Sequence, residues 1–458
     1  MRDFEYSGIW WLPEDDENDV AGILKFSERD GIRLELIGSF SELSETVSAG
    51  KLQHKEPIIL GLIDRNLVTL QSSLLIPKGF SAPGFKRDEY RPRFALIGAH
   101  FQSSEEVCIH KADVFYTYLE DWVPQVAGAN LRIIKDHGNR YQYEVSYTKP
   151  EQLIADITNG RIIIEADVHQ PWPSRRITLH EYVKIQIQLT QCLQLDAWLN
   201  DYVTPLQNLL TLATDHPNAV SALFVYVKDN SDDDDEVPIE VFYHPTYDAS
   251  ISDRKNISEH ELLFSLRDRA DEFPLIVQKW LTMSKELAHV VRLYFNGKYQ
   301  SSYSQHNFDD IIRCIEAYHR ERHPTSTARD PETLARCVEA LLSQVPDTVS
   351  KNDQDWAKSK LLYNDPPLDQ RLRELVTAAQ SVMNSLVPDT EKFIERVTKA
   401  RHKLTHASAN ARPDIQTLFE DTEILIFLMK ALFLLELGLP CDLVAHLPSY
   451  RYTKSSSS

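Results

Sequence analysis

The chain has 458 residues, 42% hydrophobic and 26% charged, a composition typical of a globular protein with two or three domains. Its formal net charge of −19 excludes a protein that coats nucleic acid through general basicity, so any RNA contact must be local. No apolar run reaches about eighteen residues, and the first residues lack the apolar core of a signal peptide, so we expect a cytoplasmic protein with no membrane partner.

The first half of the chain has the pattern of short strands. Residues 22–26 and 32–36 alternate apolar and polar side chains around a turn at 28–31, which predicts a hairpin. Further strands are predicted at residues 57–63, 67–70, 94–97, 131–134, 141–147, 161–166, 183–189, 222–227 and 239–243. Strands at such short spacing predict a curved antiparallel sheet or a sandwich. The tryptophans of this half, Trp10, Trp11 and Trp122, favour core packing over a binding surface.

Helical periodicity appears once in this half, near 190–214, and dominates from about residue 258. Helices are predicted at residues 259–269, 273–295, 307–322, 331–344, 354–362, 368–387, 389–406 and 414–437. Asp389 and Asp414 are expected to cap the last two. The fold class is therefore α+β and multidomain. A β-rich region (1–255) precedes an all-helical region (256–450) with a bundle core at about 305–446, and a flexible tail (451–458) follows.

The cysteines are widely spaced and form no CxxC pair, which argues against a thiolate zinc site. In the expected reducing compartment disulfides are disfavoured. We therefore predict that every cysteine is a buried, reduced side chain, namely Cys108, Cys192, Cys314, Cys337 and Cys441.

The spacing R-x4-H occurs three times, at Arg132–His137, Arg175–His180 and Arg401–His406. By itself this spacing is a weak signal. The first two matches lie in strand-like sequence. Only the third lies at the end of an amphipathic helix within the helical region.

The third match groups residues suited to a phosphate. His402 and His406 are i, i+4 neighbours on one helix face, and Arg401 lies one step around the helix. Arginine binds a phosphate through its fork of donors, and histidine exchanges protons near neutral pH. Residues 391–413 contain six lysines and arginines but only two glutamates, so this segment is locally basic.

Two other interpretations of this segment are open. Basic residues at a helix C-terminus complement the helix dipole, and His406 could cap carbonyls there. His402 and His406 also have the spacing of a zinc pair, but no glutamate lies between them as in H-E-x-x-H and no third ligand is evident. We expect no metal and no cofactor.

At these residues the chain resembles the HEPN superfamily, and within it the ApeA-type HEPN proteins of bacterial phage defence. Residues 308–320 resemble the family's glutamate-bearing helix, and residues 368–375 resemble the arginine-containing stretch that follows it. Weaker similarity to the family's N-terminal region lies at residues 8–10, 22–24, 95–101 and 119–122.

The resemblance implies a dimer that brings two R-x4-H motifs into one cleft and cleaves RNA without metal. Arg401 would hold the phosphate, His406 would transfer a proton or orient the 2′-hydroxyl, and His402 would support both. Glu316 would position Arg401 by a salt bridge. The residues that would guide RNA are Arg371, Arg373, Lys399 and Lys403.

Two functions follow from this resemblance. The first is a metal-independent endoribonuclease of abortive-infection defence, with transfer RNA as a candidate substrate and a phage-derived trigger acting on the N-terminal region. The second is a non-catalytic HEPN scaffold for dimerisation and RNA or nucleotide binding, with a ligand-sensing N-terminal domain. An unrelated hydrolase is disfavoured, since the chain has no G-x-S-x-G, P-loop or G-x-G-x-x-G motif.

Overall fold

The computed structural model divides the chain into two compact units, residues 1–282 and 283–458. The structure describes residues 1–40, 58–77, 87–123, 130–135, 141–169, 180–228, 236–245, 257–267, 269–299, 304–346, 348–405 and 414–440. The first unit is built on a large antiparallel sheet and the second is helical, which confirms the predicted α+β class.

Within the described residues, one sheet runs in the order β12-β13-β14-β9-β15-β16-β8-β5-β4-β1-β2-β3-β7-β6, and a separate hairpin pairs β10 with β11. The strands are β1 Phe4–Leu12, β2 Asp15–Ser27, β3 Gly31–Leu36, β4 Ile59–Ile63, β5 Asn66–Gln71, β6 Leu74–Pro77, β7 Asp88–Arg91, β8 Phe94–Ile97, β9 Ile109–Tyr116, β10 Asn130–Lys135, β11 Tyr141–Ser146, β12 Leu153–Ile157, β13 Gly160–His169, β14 His180–Leu193, β15 Val220–Val227 and β16 Ile239–Tyr243. The predicted hairpin is present as β2 and β3.

The sheet curls so that distant strands meet. Phe242 of β16 lies with its ring centroid 4.8 Å from that of Phe4 and 5.2 Å from that of Phe26, although β1 and β2 are several strands away in the sheet order. Each of these pairs buries aromatic surface between strand faces, which stabilises the curvature. The prediction of a curved antiparallel sheet is therefore confirmed.

Trp10 on β1 is fully buried over two glycines of the neighbouring strands. Gly61 of β4 lies directly opposite Trp10, and a Cβ built there would lie 2.2 Å from the indole. A Cβ at Gly22 of β2 would lie 3.0 Å from the other side of the ring system. The indole thus occupies the space that side chains at these two positions would need. Trp122 is buried as well, so core packing is confirmed for both tryptophans, and Trp11 is half-buried.

Short helices pack against the sheet in this unit: α1 Leu119–Trp122, α2 Leu195–Trp198 and α3 Thr204–Thr214. The single helix predicted near 190–214 is instead α2, a π-helical turn at Leu199–Val203 and α3, while β14 continues to Leu193. Buried hydrogen bonds fasten these helices to their surroundings: Trp198 Nε1 donates to the Ile109 carbonyl at 2.9 Å and Trp280 Nε1 to the Pro205 carbonyl at 2.6 Å.

The prediction of reduced cysteines is wrong for two of them. Cys108 and Cys192 form a disulfide although 84 residues separate them. The cause is strand pairing, because Ile109 of β9 is paired with Leu193 of β14 and each cysteine directly precedes one of these residues. Cys337 is exposed, also against expectation, whereas Cys314 is buried as predicted and burial raises the pKa of its thiol. Cys441 lies outside the described residues.

The helical part of the chain contains α4 Phe273–Glu286, α5 Ala288–Tyr299, α6 Ser304–Arg322, α7 Pro331–Leu342, α8 Lys351–Leu361, α9 Leu368–Ala378, α10 Gln380–Met383, α11 Thr390–Thr405 and α12 Ile415–Leu437. The predicted helix 259–269 is wrong beyond a single 3-10 turn at Glu259–Glu261. The predicted helices 273–295 and 368–387 are each divided in two. No described helix combines the length and the apolar character needed to cross a membrane.

The division between the units falls after Thr282, while the sequence placed it after residue 255. Main-chain hydrogen bonds explain the difference. The Leu263 amide donates to the Ala213 carbonyl at 2.7 Å, and the Leu266 amide donates to the Trp122 carbonyl at 2.9 Å. Residues 257–267 therefore belong with the sheet. The tail 451–458 lies outside the described residues.

We expect Gly61→Ala to lower the free energy of unfolding by about 2 kcal/mol or more, because the new methyl group would overlap the buried Trp10 indole. Urea denaturation followed by tryptophan fluorescence measures this. Gly297→Ala is the matched control: among the described residues, nothing beyond the helix's own backbone lies within 4 Å of its Cβ position on α5, so a change within about 1 kcal/mol is expected. Equal stability of Gly61→Ala and wild type would contradict the packing of Trp10.

Candidate functional site

Helix α11 carries the motif residues and has one clearly buried face. The Asp389 carboxylate accepts a hydrogen bond from the Lys392 amide at 3.1 Å, which caps the helix start as predicted. The buried side chains recur at helical spacing: Phe393, Ile394, Val397 and Ala400. Arg401 follows the last of these, so it lies at the border between the buried and the exposed faces.

An ion pair between a half-exposed arginine and a buried carboxylate joins α11 to α12. Nε of Arg396 donates to both oxygens of Asp421, at 3.0 and 2.9 Å, and the Asp421 side chain is only 1% exposed. The hydrogen bonds that Arg396 donates to Asp421 raise the pKa of Arg396. Asp414 caps α12 as predicted, accepting from the Thr417 amide at 2.8 Å. The position of α11 is therefore fixed one and a half turns before Arg401.

The Arg401 guanidinium is positioned by two oxygens. Its Nη1 donates to the Thr405 hydroxyl at 2.7 Å and to Oδ1 of Asp309 at 3.4 Å. The Thr405 hydroxyl in turn donates to the Arg401 carbonyl at 2.8 Å. The Arg401 side chain is 31% exposed, so the guanidinium is oriented and still accessible to an anion.

The two residues after Arg401, His402 and Lys403, are exposed on the same helical turn. The structure therefore brings a guanidinium, an imidazole and an ammonium group together at the end of α11. His406 lies outside the described residues, so its placement beside His402 stays a prediction.

The predicted salt bridge between Glu316 and Arg401 is not formed: of the described acidic residues, Asp309 is the one that pairs with Arg401. Both carboxylates lie on α6, and Asp309 comes two turns earlier. Sequence reasoning missed Asp309 because nothing in a helix pattern specifies which acidic residue meets a partner 92 residues away. Thr405 was missed too, although its i, i+4 spacing from Arg401 was a usable signal.

Two residues predicted to guide RNA have other roles. Arg371 is 5% exposed, and its guanidinium donates to the main-chain carbonyls of Pro366 at 2.8 Å and Glu316 at 3.2 Å. This burial does not fit RNA contact. Arg373 binds Glu391 at 2.8 and 2.9 Å, at the first turn of α11. Because Arg401 lies ten residues after Glu391 on α11, the Arg373–Glu391 pair is about 15 Å from Arg401 along the helix axis.

The remaining predicted cations are near the motif. Lys399 is exposed and pairs with Glu395 on the same helix, and Lys403 is exposed beside Arg401. The other R-x4-H matches lack this setting. Arg132 is on strand β10 and His180 begins β14, as the strand pattern predicts, while His137 and Arg175 lie outside the described residues.

Comparison with protein families assigns both parts of the chain. The description "ApeA N-terminal domain 1" matches residues 5–280, which is more than half of the chain. The description "Apea-like HEPN" matches residues 310–443, the segment that contains α11 and Arg401. No significant match was found among curated proteins or solved structures. The two matches occur in the order of the sheet and the helical bundle, and the chain belongs to the ApeA family of HEPN proteins.

Proposed function

We propose that this protein is a metal-independent endoribonuclease that acts in anti-phage defence by abortive infection. The observation that supports this most is the state of Arg401. It is held by Asp309 and Thr405, is partly exposed beside His402, and lies in the segment that matches the Apea-like HEPN family. A fixed and accessible guanidinium is suited to a phosphodiester.

In the proposed reaction the ribose 2′-hydroxyl attacks the adjacent phosphate, leaving a 2′,3′-cyclic phosphate and a 5′-hydroxyl. Arg401 stabilises the negative charge that develops on the phosphate oxygens. His406 transfers a proton or orients the 2′-hydroxyl, and His402 supports this step. These groups supply positive charge and proton transfer from side chains, which is the basis for proposing cleavage without a metal ion.

RNA would approach through local charge. The protein carries a net charge of −19, so long-range attraction is weak, but Lys399 and Lys403 flank Arg401 on the exposed side of α11. We propose these two lysines as RNA contacts and transfer RNA as a candidate substrate. The active form would be a homodimer or a higher homo-oligomer through the HEPN domain, and a phage-derived trigger would act on the N-terminal sheet.

We expect Arg401→Ala to reduce RNA cleavage in EDTA by about 10²- to 10³-fold, because the charge that stabilises the transition state is lost. The assay compares the variant with wild type on total cellular RNA and identifies the ends by their cyclic phosphate. Lys392→Ala is the control, since Lys392 is an exposed cation at the opposite end of α11 that pairs with Asp389. Its cleavage should equal that of wild type.

The scaffold alternative predicts a different result. Wild type would then bind RNA and protect cells without cleaving RNA, and Arg401→Ala would protect cells equally well. Because the proposed nuclease is activated by a phage-derived trigger, RNA from infected cells expressing each variant is tested in parallel. Absence of cyclic-phosphate ends in infected wild-type cells would rule out the nuclease.

A second prediction concerns Asp309. We expect Asp309→Asn to reduce cleavage about five- to tenfold, since the weakened hydrogen bond no longer orients Arg401. In an Arg401→Ala background the same substitution should not reduce RNA cleavage further, because the residue that Asp309 positions is absent. Melting temperatures of all four proteins provide the control. Additive losses in the double variant would show that Asp309 acts independently of Arg401.

A further inference from the structure

A group of three possible metal ligands lies at the C-terminal end of α6, outside the motif region. His319 and His323 are separated by one helical turn, and their rings stack with centroids 4.8 Å apart and planes 18° from parallel. His319 is 1% exposed and His323 is half-buried. His323 is the first residue after α6, and its amide donates to the His319 carbonyl at 2.8 Å, so the two histidines keep the i, i+4 spacing found in metal-binding helices.

Glu374 of α9 completes the group. Its Oε2 is 2.8 Å from Nε2 of His319. Its other oxygen, Oε1, accepts hydrogen bonds from the Ser326 hydroxyl and from Nε2 of Gln370, both at 2.9 Å. One carboxylate oxygen is thus held by neighbouring donors while the other faces the histidines. This arrangement orients a carboxylate ligand in metal sites.

The three ligand atoms lie within 4.8 Å of one another. In a tetrahedral site with bonds of about 2.1 Å, neighbouring ligand atoms are about 3.4 Å apart. The His319 and Glu374 ligand atoms, 2.8 Å apart, would move about 0.6 Å further apart as the metal replaces their hydrogen bond, and rotation of the half-buried His323 ring can bring its nitrogen closer. We propose that His319, His323 and Glu374 bind a divalent transition-metal ion, best matched by Zn²⁺, with water in the remaining position.

Arg371 is a cation beside this site, and its guanidinium has other partners. Its Nη1 lies 3.5 Å from Nδ1 of His319, but the same nitrogen donates to the Glu316 carbonyl at 3.2 Å, and Asp365 lies 3.9 Å from Nη2. Metal binding at Nε2 leaves the ring proton on Nδ1. The Arg371 Nη1 then keeps its bond to the Glu316 carbonyl and releases the ring.

The location indicates a stabilising ion, not a catalytic one. His319 lies on α6, His323 directly follows α6 and Glu374 lies on α9, so the ligands flank the segment 324–367 that contains α7 and α8. A bound ion would link the two ends of this segment and so reduce the conformational freedom of the chain between them. The ion would be separate from Arg401, which meets the opposite end of α6 at Asp309.

The test is a titration of the full-length protein, first freed of metal with EDTA and then dialysed, with ZnCl₂ in a calorimeter. We expect one equivalent to bind at this cluster. At a zinc concentration a hundred times the dissociation constant, the melting temperature should rise by about 5 °C or more. His323→Ala should weaken binding at least tenfold and melt like wild type in EDTA, because the removed side chain is half-buried and at a helix end.

His402→Ala is the matched control, since His402 and His406 form the chain's other i, i+4 histidine pair in the HEPN segment. It should bind zinc as wild type does. Absence of binding by wild type, unchanged affinity of His323→Ala, or loss of binding in His402→Ala would each overturn the proposal. If His323→Ala has a lower melting temperature than wild type in EDTA, the zinc titration uses His323→Gln in its place. RNA cleavage in EDTA tests the nuclease separately, so the two proposals fail independently.

Discussion

The geometry of the helical unit depends on a carboxylate that has almost no contact with water. Asp421 of α12 is 1% exposed, and a charge in that position is stable only with a partner that satisfies it. Arg396 is that partner. Its bidentate contact with Asp421 fixes the rotation of α11 about its own axis and its position along α12. Arg401 lies five residues further on the same helix, about 7.5 Å along its axis, so the Arg396–Asp421 pair also sets the position of Arg401.

The contacts of Arg401 explain how an acidic protein can present a site for an anion. Its bond to Asp309 is long, at 3.4 Å, and both side chains are about one-third exposed. Such a pair contributes little stability in water. The contacts with Asp309 and Thr405 both use Nη1, so a phosphate can bind other donors of the guanidinium while Asp309 stays in place. The carboxylate orients the guanidinium without blocking it, which is the property that the proposed chemistry requires.

Local sequence pattern predicted some strands of the N-terminal sheet and missed others. Alternating residues predicted the hairpin of β2 and β3, whereas the predicted strand Phe94–Ile97 is a short apolar run with three consecutive buried residues. The strand β9 was missed, since it is the inner strand between β14 and β15 and its sequence, Ile109–Tyr116, does not alternate cleanly. The same strand brings Cys108 to Cys192, so the missed strand and the unexpected disulfide have one cause.

The sequence alone determined the α+β class, most helices of the second unit and the caps of the last two, since these depend on periodicity and on residues within one or two turns. It also singled out Arg401 and His402 as candidate site residues. The family resemblance followed from the same local motifs. Only the tertiary structure decided that Arg401 meets Asp309 across 92 residues and that His319 meets Glu374 across 55. It also showed that Arg371 is buried. These depend on how helices pack side by side, and helix packing is set by the fit of whole surfaces, which no local spacing encodes.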